Sequence, residues 1–61
     1  EDSVVDVCVA VGLDAGFPAR KRYARELEYP GAYDGSADAN RWLRNKLIEK
    51  VAADDVGTLR D

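Results

Sequence analysis

Residues 3–13 read SVVDVCVAVGL, and whether they form a strand or a helix decides the fold. As a strand, Val5, Val7, Val9, Val11 and Leu13 alternate onto one face, and the valines favour that conformation locally. As a helix, Val4, Val5, Cys8, Val9 and Val11 form a wide apolar stripe, with Asp2 or Ser3 as N-cap and Gly12 as the stop. No other stretch reads as a strand, and an unpaired strand leaves a row of open backbone donors and acceptors. The strand reading therefore needs a second chain. The helix reading is preferred, and it predicts an all-α domain of three helices near residues 3–12, 18–28 and 37–53.

The alternative is a dimer in which the N-terminal strand pairs with its own copy and two helices follow in each chain. That layout resembles the ribbon-helix-helix DNA-binding proteins. Its outward ribbon positions would offer Asp6 and Cys8, with no basic residue to read bases or hold phosphate. A homodimer thus stays open, while nucleic acid is disfavoured as a partner.

Outward from this stretch, Asp14 to Phe17 form a connector, and Pro18 suits the first turn of a helix, where its missing N–H costs nothing. Tyr23 and Leu27 lie four apart on that second helix, opposite Arg20, Lys21, Arg22 and Arg25. The helix is expected to end at Glu28, just before Tyr29-Pro30. Pro30-Gly31 and Asp34-Gly35 are turn pairs, which makes Tyr29–Ser36 a loop carrying Tyr29 and Tyr33 at its rim.

The last helix has the strongest pattern. Ala39, Leu43, Leu47 and Val51 recur every fourth residue with Trp42, Ile48 and Ala52 beside them, and Ser36 or Asp34 can cap its start. The expected core is Val5, Val9, Tyr23, Leu27, Trp42, Leu43, Leu47 and Val51. Residues 54–61 are expected to fray, with Val56 and Leu59 the side chains able to fold back.

A chain of 61 residues makes one small domain with a marginal core, and the usual staples are missing. One cysteine closes no intrachain disulfide, and without histidine there is no zinc cluster. The chain starts at Glu1 and contains no methionine, which suggests a processed protein or a domain of a longer one. Its longest apolar run, Val7 to Leu13, is far too short to cross a bilayer, so the domain is read as soluble, with no membrane partner. A net charge of −3 repels nucleic acid and anionic lipid, so such binding would need a local patch.

Absence of histidine removes the commonest general base and the triads built on it. No residue takes a catalytic role, no cofactor is implied, and a non-enzymatic module is expected. Asp34, Gly35 and Asp38 resemble the start of a calcium loop, but the further oxygens and terminal glutamate are missing, so no metal is assigned. The cluster Arg20-Lys21-Arg22 with Arg25 is read as a solvated helix face balanced by Glu26 and Glu28 rather than a phosphate site. Trp42, the single tryptophan, is a core anchor that can also serve as a stacking platform beside the loop.

The run YPGAYDGSADANRWL, residues 29–43, resembles the central motif of the small three-helix peptidoglycan-binding domains of cell-wall hydrolases and phage endolysins. Leu27, Tyr29, Gly31, Asp34, Gly35, Asn40 and Trp42 stand at matching places. The chain departs from that pattern where Asp38 replaces a glycine and Arg41 a threonine, and it lacks the second Asp-Gly repeat. The resemblance implies a cell-wall-binding module within a larger protein, located outside the cell or in the wall. Without it, a cytoplasmic protein-interaction or structural subunit is the alternative. The expected ligand residues are Tyr29, Tyr33, Asp34, Gly35, Asn40 and Trp42, placed where the free N–H groups of the last helix favour an anionic or carbonyl-rich group. Tyr33 is expected to touch ligand without supporting the fold, and Trp42 to support the fold.

Overall fold

A computed structural model describes residues 3–59, and residues 1, 2, 60 and 61 lie outside that description. Three α-helices follow one another, α1 at Val4–Ala10, α2 at Phe17–Glu26 and α3 at Ala37–Ala52, and a 3-10 turn at Gly57–Leu59 closes the chain. Among the described residues there is no strand, so the paired-ribbon alternative is replaced by the all-α domain. Both α1 and α2 pack on α3, which is the central element.

Each helix starts and stops for a local reason. Ser3 caps α1, its Oγ accepting from the Asp6 N–H at 3.2 Å; the other expected cap, Asp2, lies outside the described residues. Ser36 caps α3 in the same way, accepting from the Ala39 N–H at 3.2 Å. All three C-termini close with one left-handed residue, at Gly12 (φ 78°), Glu28 (φ 66°) and Asp54 (φ 54°). After each, an N–H turns back to the helix: Leu13 to the Cys8 carbonyl, Tyr29 to Ala24 and Asp55 to Lys50, each at 2.8 Å. This is the Schellman closure, made twice here without glycine. Asp54 therefore ends α3, and Gly57 belongs to the 3-10 turn that follows.

The core is Val4, Cys8, Leu13, Tyr23, Ala24, Tyr33, Ala39, Leu43, Leu47 and Leu59. Ala39, Leu43 and Leu47 form the expected stripe of α3, but Val51 is exposed. The α1 expectation is out by one position, since Val4 and Cys8 point inward while Val5 is 41% and Val9 66% exposed. The apolar stripe of α1 is wider than its contact, so periodicity leaves its rotation open. The C-terminal closure sets it: Leu13 is buried and its N–H bonds the Cys8 carbonyl, which brings Cys8 to the same side. Leu27 and Trp42, also expected in the core, are half-buried at its edge.

Of residues 54–61, expected to fray with Val56 and Leu59 able to fold back, residues 60 and 61 lie outside the described residues, and Leu59 does fold back. Leu59 is 1% exposed, and its carbonyl accepts from the Arg22 Nη2 at 2.9 Å, which fastens the 3-10 turn across α2. No helix is long and apolar enough to cross a membrane among the described residues.

Candidate functional site

The residues expected to hold ligand do converge, but mostly on one another. Tyr33 is 5% exposed, so it belongs to the core and not to the rim. Its hydroxyl donates to Asn40 Oδ1 and accepts from Arg20 Nη1 at 3.3 Å. Arg20 Nη1 also donates to Asn40 Oδ1 at 3.2 Å, and Asn40 Nδ2 donates to the Gly35 carbonyl at 3.1 Å. Arg20 Nε is held by the Ala15 carbonyl at 3.1 Å. This network ties α2, the loop and α3 together, and it gives the Tyr33 hydroxyl and both polar atoms of the Asn40 amide a partner. Burial raises the Tyr33 pKa above the usual phenol value, although the Arg20 charge pulls the other way.

Around that network the aromatic rings form a row. Tyr33 lies 5.8 Å from Phe17 and 6.1 Å from Tyr29, and Tyr29 meets Trp42 edge-on at 4.9 Å. Lys46 Nζ sits 5.8 Å over the Trp42 ring. Gly35 suits its place because φ is 75°, a conformation that strains any L side chain, and a Cβ there would also come 3.1 Å from the Phe17 ring. Asp34 is exposed and closes its turn by accepting from the Ser36 N–H at 3.0 Å; that bond holds its pKa below the ordinary carboxylate value. Burial likewise raises the pKa of the Cys8 thiol, which lies within the core.

Two surface features remain after these contacts. The first is a groove of about 640 Å³ beside the start of α3, lined by Ser3, Arg20, Asn40, Arg41, Arg44 and Asn45 together with small apolar side chains. Its lining carries three arginines and, among the described residues, no carboxylate, on a chain whose net charge is −3. The second is an apolar groove of about 550 Å³ between α1 and α3, where Val7, Ala10, Val11, Ile48, Val51 and Ala52 meet and Asp6 is the single charge.

The arginine groove escapes sequence reasoning because Arg20 comes from α2 and its partners from α3, at least twenty positions away. Only the spacing of Arg41 and Arg44 on one helix face hints at it. The run Arg20-Lys21-Arg22 with Arg25 is neither a patch nor a uniformly solvated face. Arg20 turns into the Tyr33–Asn40 network and Arg22 bonds the Leu59 carbonyl over the Tyr23 ring, while Lys21 and Arg25 stay exposed. Among the described residues no group of His, Cys, Asp and Glu is arranged to hold a metal ion.

No curated protein and no solved structure matches the chain. A family model described as a domain of unknown function, DUF3597, matches residues 1–59, and the chain belongs to that family.

Proposed function

We propose that this domain is a non-enzymatic binding module whose ligand lies in the arginine-lined groove at the head of α3, and that the ligand is the bacterial cell-wall polymer peptidoglycan. The observation that carries the reading is the gathering of three arginines in that groove, with no carboxylate among its described lining residues, on an acidic chain. Peptidoglycan offers free carboxylates on short peptides, a chemistry that guanidinium groups hold well. The resemblance of residues 29–43 to cell-wall-binding domains supports the same polymer. The loop in that stretch supports the groove's wall through Tyr33, whose hydroxyl bonds both Asn40 and Arg20.

Sedimentation with purified sacculi tests this. The domain is expected in the pellet, and an Arg41→Glu, Arg44→Glu variant in the supernatant. A wild-type domain that stays in the supernatant would sink the proposal.

A second reading, a protein partner, is favoured by the apolar groove, two of whose lining residues, Ile48 and Val51, are exposed, and by exposed Val9 on α1. A photo-crosslinker at Val9 in the native cell would then yield one discrete adduct that the same group at Lys21 does not.

A further inference from the structure

We infer that the Asp34-Gly35 pair is a self-modifying site, where Asp34 isomerises to isoaspartate once the loop opens, and that the folded loop holds this reaction closed. The reaction needs no molecule other than water. The Gly35 amide nitrogen attacks the Asp34 Cγ and a C–N bond forms. The amide proton and the carboxyl hydroxyl leave together as water, which closes a cyclic imide. Water then adds to the former main-chain carbonyl of Asp34 and breaks its bond to the Gly35 nitrogen. The chain now runs through Cβ and Cγ, and the old carbonyl has become a free carboxylate. Composition is unchanged, since the water released is replaced by the water added, and nothing is oxidised or reduced.

The sequence confines this chemistry to one position. Asp34 alone among the aspartates is followed by glycine, and the others that have a successor precede a residue whose Cβ crowds the attacking nitrogen. The fold in turn fixes that glycine, through a φ of 75° and a Phe17 ring that a Cβ would meet at 3.1 Å. Asp34 is exposed, so water reaches it. A turn that needs glycine therefore leaves its aspartate beside an unhindered nucleophile.

In the folded chain the pair is clamped. Asp34 Oδ1 accepts from the Ser36 N–H at 3.0 Å, and the Gly35 carbonyl accepts from Asn40 Nδ2 at 3.1 Å. The peptide unit between Gly35 and Ser36 is thus held at both its N–H and its carbonyl. Ring closure requires a protonated carboxyl, whose hydroxyl leaves as water, and its carbon brought onto the Gly35 nitrogen. The Ser36 bond opposes both. It favours the ionised carboxylate, holding the Asp34 pKa below its ordinary value, and it fixes the side chain toward the nitrogen one residue beyond.

Opening releases the clamp, and the product no longer fits. An isoaspartyl link lengthens the main chain by one carbon between Tyr33, which bonds Asn40, and Ser36, which caps α3 at the Ala39 N–H. Both contacts cannot be remade around it. In a domain of marginal stability such openings recur, and modified chains accumulate as a record of them.

The test follows uptake of heavy oxygen from isotopically enriched water at neutral pH, located by tandem mass spectrometry, because each passage through the imide fixes one water oxygen at residue 34. The folded domain is expected to take up label about tenfold or more slowly than the same domain in urea, the protection that even a shallow local opening equilibrium gives. A peptide of residues 31–38, with and without urea, corrects for the solvent. Ser36→Pro suits a backbone with φ −65° and removes the N–H, whereas Ser36→Ala loses the same cap and keeps the N–H. Label is expected to enter the proline variant severalfold faster than the alanine variant. A chemically synthesised chain with isoaspartate at position 34 is expected to melt well below the wild type. Equal uptake by folded and unfolded domain, label appearing first at another aspartate, equal rates in the two variants, or an isoaspartyl chain that melts with the wild type would each overturn the inference. The first comparison uses the unaltered chain, so it decides the matter even where the proline variant fails to fold.

Discussion

Replacing Tyr33 gives the sharpest test of the fold, because its loop position suggests a dispensable contact and its burial makes it structural. A chain of 61 residues at ~0.05–0.15 kcal/mol per residue has a total stability of about 3–9 kcal/mol. Tyr33→Ala removes a ring that is 5% exposed and costs about 3–5 kcal/mol, a third of that total or more. Tyr33→Phe keeps the ring and removes only the hydroxyl. Arg20 still donates to Asn40 Oδ1 in that variant, so no buried acceptor is orphaned, and the loss is about 0.5–1.5 kcal/mol. At roughly 4–8 °C per kcal/mol for a domain of this size, the phenylalanine variant melts several degrees below wild type, and the alanine variant melts lower by about 12–40 °C. Trp42→Ala, at a half-buried site, is expected to fall between them. Thermal melts followed by far-UV circular dichroism read all three. A Tyr33→Ala domain that melts with the wild type would refute the placement of Tyr33 and with it the network that positions Arg20.

Four further outcomes follow from the same structure. Leu59→Ala is expected to destabilise by about 2–5 kcal/mol in urea denaturation, because the side chain is 1% exposed; a wild-type midpoint would show that the C-terminal turn is not part of the core. Val9→Ser is expected to be nearly neutral and Cys8→Ser to cost about 1–3 kcal/mol, since the hydroxyl enters an apolar core; the reverse order would mean that α1 is rotated by one residue. Glu28→Gly relieves a left-handed residue and is expected to raise the melting temperature by a few degrees, from about 1 kcal/mol of removed strain; an unchanged or lower melting temperature would count against strain there. Alkaline pH is expected to destabilise the domain, because the raised Tyr33 pKa means that the unfolded phenol loses its proton first. That contribution is complete below the ordinary phenol value of about 10 and is lost as pH climbs through the folded value, so a Tyr33→Phe domain should show a shallower alkaline loss.

What could be read from the chain alone is what depends on neighbours in sequence. The Ser36 cap, the four-residue spacing of Ala39, Leu43 and Leu47, the Gly12 stop and the turn at Asp34-Gly35 each involve partners within five positions, and each appears as expected. Tertiary structure decided the rest, because those decisions depend on partners distant in sequence. The valine-rich stripe of α1 is apolar almost all round, and only docking against α3, with Leu13 turned back toward Cys8, selects Val4 and Cys8 over Val5 and Val9. Tyr33 looks like a loop-rim aromatic until Arg20 and Asn40, thirteen and seven positions away, supply the partners that make burying its hydroxyl affordable. The arginine groove needs α2 and α3 side by side before its charges meet, because no local spacing brings Arg20 to Arg44.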